Sequence, residues 1–139
     1  MMNVEQIAWI LGQAFPGLVR GKDYWVAHPV DERTLEQTGP AWIVKWLPES
    51  PPVPITDEIE KLWDRYGAEC THALATIDAR RERDARLLDA DRMVEQAIDT
   101  GNSGKEKAAR QYRQALRDVP QQSGFPDHID WPAKPGNAS

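Results

Sequence analysis

Pro48-Glu49-Ser50-Pro51-Pro52-Val53-Pro54-Ile55-Thr56-Asp57-Glu58 decides how the chain is organised. Its prolines fix φ and withhold backbone donors, so the stretch reads as a stiff, extended connector of polyproline character. It stops where Ile55-Thr56-Asp57-Glu58 opens a helix: Thr56 offers a capping hydroxyl, and Asp57 and Glu58 suit the positive end of the helix dipole. On either side of it, residues 1–48 read as an N-terminal unit, 49–55 as connector, 56–119 as a helical hairpin and 120–139 as a C-terminal tail rich in aromatics and proline.

Downstream of the connector, no proline occurs before Asp99, and Gly67 is the single glycine up to that point. Ile59, Trp63, Tyr66, Cys70, Ala73 and Ile77 trace a seam with alternating steps of four and three. Charge interrupts the seam at Arg80-Arg81-Glu82-Arg83-Asp84, which reads as either a solvent-bridging stretch or a bend. Apolar positions return at Leu87, Leu88, Val94, Ala97 and Ile98. Thr100-Gly101-Asn102-Ser103-Gly104 is a turn signal. Lys105 to Val119 then reads as an amphipathic helix through Ala108, Tyr112, Ala115, Leu116 and Val119, ended by Pro120. A short loop between two helices favours an antiparallel hairpin.

Upstream, Asn3 and Gln6 form a capping-box variant, and Val4, Ile7, Ala8, Leu11 and Ala14 recur at helical spacing. Phe15-Pro16-Gly17 ends that helix, because proline disfavours helical geometry in the residue before it. Asp23-Tyr24-Trp25-Val26-Ala27 and Trp42 to Leu47 are strand candidates. Simple alternation in the second places Trp42, Val44 and Trp46 on one face and Ile43, Lys45 and Leu47 on the other. The fold class expected is α+β: a helix with an antiparallel hairpin, the proline connector, a helical hairpin and an ordered aromatic tail.

Composition limits the function. A formal net charge of -5 and a pI near 5.2 argue against nucleic acid as a partner, since phosphate binding needs a net basic face. The basic cluster Arg80, Arg81, Arg83 and Arg86 is diluted by Asp78, Glu82, Asp84 and Asp89, with no interleaved aromatics for base stacking. The longest apolar run, Ile7-Ala8-Trp9-Ile10-Leu11, falls far short of the roughly 20 residues of a membrane span. The N-terminus has neither the basic region nor the cleavage site of a signal peptide. A lone Cys70 fits a reducing cytoplasm. Six tryptophans, at 9, 25, 42, 46, 63 and 131, serve as core fillers or as interface anchors.

The usual catalytic sets are missing from the pattern. Cys70 and His72 lie two apart on a helix and point to different faces. Cys70 sits on the apolar seam, where a free thiol behaves as a small hydrophobe. His28, His72 and His128 fall in three segments without ligand spacing. Gly101-Asn102-Ser103-Gly104-Lys105 suggests a phosphate loop, but Asp99 and Glu106 stand where glycine and Ser or Thr belong. None of the serines, at 50, 103, 123 and 139, lies in a nucleophile elbow. The carboxylates interleave with Arg and Lys along the helices, as Glu82 and Arg86 do, and read as solvated faces. No catalytic residue, metal ligand or cofactor site is expected, and the chain reads as a non-enzyme.

One stretch carries more. Tyr112-Arg113-Gln114-Ala115-Leu116-Arg117-Asp118 leads into Gly124-Phe125-Pro126-Asp127 and then Ile129-Asp130-Trp131-Pro132. A helix ending in Tyr-Arg-x-x-Leu-Arg-Asp, followed by Gly-Phe-Pro and Trp-Pro, resembles the C-terminal motif of phage tail (fibre) assembly chaperones. The aromatic strand closing on Trp46, the prolines and the helix opening at Ile55-Thr56-Asp57-Glu58 look like the front portion of many small phage tail proteins. The resemblance implies a non-enzymatic protein that binds a tail-fibre or other tail polypeptide and helps it fold or assemble, with no cofactor. It implies residence in the cytoplasm of the infected bacterium. The alternative is a structural adaptor or cap retained in the phage tail. The partially apolar long helix is compatible with self-association. The partner-binding candidates are Tyr112, Leu116, Phe125, Pro126, Ile129, Trp131 and Pro132. The same residues also suit a purely structural role, in which Phe125, Ile129 and Trp131 fold back over Tyr112 and Leu116.

Overall fold

The computed structural model describes residues 1–136; the last three residues of the C-terminal tail lie outside that range. The order of elements is α1 (Val4–Ala14), β1 (Tyr24–Ala27), β2 (Trp42–Trp46), α2 (Thr56–Asp99), α3 (Ser103–Arg117) and a 3-10 turn at Val119–Gln121. This is the α+β arrangement expected, with a helix, an antiparallel strand pair and two long helices. The described residues form two compact units that divide between Leu74 and Ala75, and α2 contributes a part to each.

In the first unit, α1 begins with the capping box read from the sequence. The Asn3 side chain accepts from the Gln6 N–H, and the Gln6 side chain accepts from the Asn3 N–H. The Val4 N–H, left over at the helix start, donates to Nδ1 of His28 at 3.1 Å. Ile7, Ile10 and Leu11 are fully buried, and Ile7 and Leu11 join Tyr24 in the core. Phe15, Leu18, Val26, Ile43, Trp46, Ile59 and Leu62 pack around them. A two-stranded sheet alone is marginal in water, so this covering by helices is what sustains the pair.

The strands pair Tyr24 with Trp46, Trp25 with Lys45, Val26 with Ile43 and Ala27 with Trp42. Val44 is the extra residue of a β-bulge, which corrects the simple alternation expected for β2. Because the bulge inserts a residue without a partner, Ile43 and Trp46 both reach the core, while Trp42 is 46% exposed. Trp46 stacks edge-on against Phe15, with ring centroids 5.4 Å apart, and its indole N–H donates to the carbonyl of Pro51 at 2.9 Å. That bond pins the proline connector to the strand pair.

Two helix boundaries also differ from the expectation. Thr56 is the first residue of α2, not its cap; the free N–H ahead of the helix, that of Ile55, is satisfied by the Glu58 carboxylate. The glycine-rich turn gives up its second half to α3, because the Asn102 side chain accepts from the Lys105 N–H and starts the helix at Ser103. The charged stretch 80–84 stays within one uninterrupted helix.

Candidate functional site

The second unit is organised by the residues of the C-terminal motif. Tyr112 and Leu116 stand one helical turn apart on α3 and pack against Ala90, with Leu87, Met93 and Trp131 around them. Leu116 and Val119 are fully buried and Tyr112 nearly so. Burying one such leucine stabilises a fold by about 2 kcal/mol. Arg113 lies beside this seam and bridges to Asp91 of α2 at 3.1 Å.

Beyond the 3-10 turn the chain reverses. Gln122 closes the reversal with two bonds to one residue: its amide donates to the Asp130 carbonyl and its carbonyl accepts from the Asp130 N–H, both at 2.9 Å. Inside this loop the His128 N–H donates to the carbonyl of Gly124 at 2.8 Å. A Cβ on Gly124 would stand 2.6 Å from the His128 carbonyl oxygen, so the turn leaves no room for any other residue there. Pro126 is buried, joined to Phe125 through a cis peptide bond.

The returning tail is held by α2 through charge. The Arg80 guanidinium lies over the Phe125 ring at 5.8 Å from its centroid, and that of Arg86 over the Trp131 ring at 4.2 Å. Lys134 donates to the Asp89 carboxylate at 2.6 Å. That hydrogen bond and the charge of Asp89 raise the lysine above its ordinary pKa. Of the candidate partner-binding residues, Tyr112, Leu116 and Pro126 are therefore buried, and Phe125, Ile129, Trp131 and Pro132 are partly exposed.

Sequence reasoning did not find Arg80, Arg86, Asp89 or Gln122 as partners of this tail. Arg80, Arg86 and Asp89 look like a solvated charged run on a helix, and only their position opposite the tail distinguishes them, while Gln122 is a loop amide whose Asp130 partner lies eight residues on. Elsewhere, Cys70 is buried with its sulfur 4.0 Å from the Gln6 carbonyl, and burial pushes its thiol up from the ordinary value. Among the described residues, no group of three or more His, Cys, Asp or Glu is placed to hold a metal ion, and no helix is long and apolar enough to cross a membrane.

Residues 76–136 match the family model described as phage tail assembly chaperone protein, and residues 7–70 match the model described as XkdW protein. Each match covers a little under half of the chain. The first spans the second unit from α2 to the end of the strapped tail, so the resemblance to phage tail assembly chaperones is shown for that part. It supports a general role in phage tail assembly. No curated protein and no solved structure matches the chain.

Proposed function

We propose that this chain is a non-enzymatic assembly chaperone that binds a tail-fibre or other tail polypeptide and assists its folding or assembly. The observation that carries this reading is that the match to the chaperone family falls on the unit built around the Tyr112 to Pro132 motif. Such a protein works by binding alone. It covers apolar surface on an unfinished partner, lowering the concentration of the species that aggregates, and releases it to the assembling tail. The partner-binding region comprises Phe125, Ile129, Trp131 and Pro132 at the surface, with Tyr112, Leu116 and Pro126 beneath them. Aromatic side chains suit this task because they dominate interface energetics. The chain acts in the cytoplasm of the infected bacterium.

Co-expression with the fibre or tail protein encoded beside it, followed by affinity pull-down and size-exclusion, tests the proposal. A soluble complex, or a fibre that is soluble only with this chain present, is the expected outcome. No complex and no change in fibre solubility would overturn it. Stoichiometric presence of the chain in purified particles would instead identify a structural adaptor or cap of the tail.

A further inference from the structure

The tail that follows Gly124 lies on the α2–α3 hairpin as a bound peptide would. Trp131 packs on the buried cluster of Ala90, Tyr112 and Leu116, as Leu87 and Met93 also do. Its ring is capped by Arg86, and Lys134 is tied to Asp89. Among the described residues, the backbone of 129–136 makes no hydrogen bond to α2 or α3; its bonds run from Asp130 to the Gln122 side chain. The segment is therefore held by side chains, through one apolar anchor, one cation–π contact and one half-exposed ion pair. Exposed ion pairs contribute little, and a partly exposed cation–π contact adds only modestly to them. Such a strap can leave without unravelling either helix, and its departure uncovers an apolar groove.

We infer that the α2–α3 groove is the docking site for an extended aromatic–proline segment of the tail polypeptide, and that residues 129–136 are a built-in competitor for it. The present occupant defines the chemistry the groove takes: a large aromatic ring under Arg86, a following proline that keeps the segment extended, and a cation toward Asp89. The inference rests on the chaperone reading and makes it specific. Tyr112 and Leu116 become contact residues once the strap is displaced, and the occupied groove keeps the free chaperone from exposing apolar surface. An intramolecular competitor acts at an effective concentration on the order of millimolar, so only a segment that binds better, or many at once, displaces it.

The test uses the full chain and a labelled synthetic peptide of residues 122–136 supplied in trans, with binding read by fluorescence anisotropy. Trp131→Ala removes the anchor from the strap and leaves the groove. If Trp131→Ala does not fold by circular dichroism, Lys134→Glu, which sets like charges against Asp89 and leaves the apolar seam intact, takes its place. The expected result is binding at least about tenfold tighter to Trp131→Ala than to the unaltered chain, and about twofold tighter to Lys134→Glu, because the competing strap is weakened by loss of its anchor or only of its exposed ion pair. A peptide itself carrying the Trp131→Ala change should not bind. Absence of binding to every form of the chain, or equal binding to variant and unaltered chain, would overturn the inference. No tail protein enters this experiment, so its failure is distinguishable from failure of the chaperone reading.

Discussion

The guanidinium of Arg86 lies over the indole of Trp131, 4.2 Å from its centroid, while its Nε donates to Glu82 one helical turn earlier at 2.9 Å. Glu82 thus orients the cation that caps the tail's main aromatic anchor. Arg86→Ala should lower the stability of the second unit by about 0.5–2 kcal/mol in urea unfolding. Arg80→Ala, whose guanidinium is 5.8 Å from Phe125, should cost less. Equal losses for the two would mean that ring contact is not what the arginines supply.

Glycine plays opposite parts at two positions. Gly124→Ala places a methyl group against the His128 carbonyl oxygen, which is backbone and cannot swing aside, so a loss of about 1–3 kcal/mol is expected. Gly12 lies within α1 with nothing within 4 Å of the new methyl. Gly12→Ala should therefore raise stability by about 1 kcal/mol through helix propensity alone. Thermal melts of the two variants should move in opposite directions.

Asp31 gives a pH signature. Its carboxylate accepts from the N–H groups of Thr34 and Arg33, and those bonds hold it below its ordinary pKa. A depressed carboxylate contributes stability that is fully present above the unfolded value of about 3.9 and is lost as the pH falls through the lower folded value. Asp31→Asn should flatten that acid limb in melting curves taken between about pH 2 and 5. An unchanged limb would show that the turn at 31–34 is not coupled to folding.

Cys70 should be inert in the folded chain. Its thiol is buried and pushed up from the ordinary value, so little thiolate exists at neutral pH and reagent has no access to it. Iodoacetamide at about pH 8 should label it only after urea is added. Rapid labelling of the native chain would show that the packing around Gln6 and Cys70 opens.

Much of the fold was legible because its signals are local. The Asn3–Gln6 capping box, the end of α1 at Pro16 and the prolines before α2 act within one turn of the residues that encode them. The core faces of α1 and α3 were equally plain, since Ile7 with Leu11, and Tyr112 with Leu116, repeat at helical spacing. The face of β2 was not, because a bulge depends on how two strands meet and leaves no mark in the alternation of Trp42 to Trp46.

Residue order alone marked out the helices and strands and the apolar helix faces, and carried the resemblance of the Tyr112 to Pro132 stretch to tail assembly chaperones. Packing between distant segments makes Val44 the extra residue, requires glycine at 124, and sets Arg80, Arg86 and Asp89 against the returning tail. The physical reason is range. Caps and periodicity are set by neighbours a few residues apart, whereas Arg86 meets Trp131 only after a helix, a turn and a reversal have brought distant parts of the chain together.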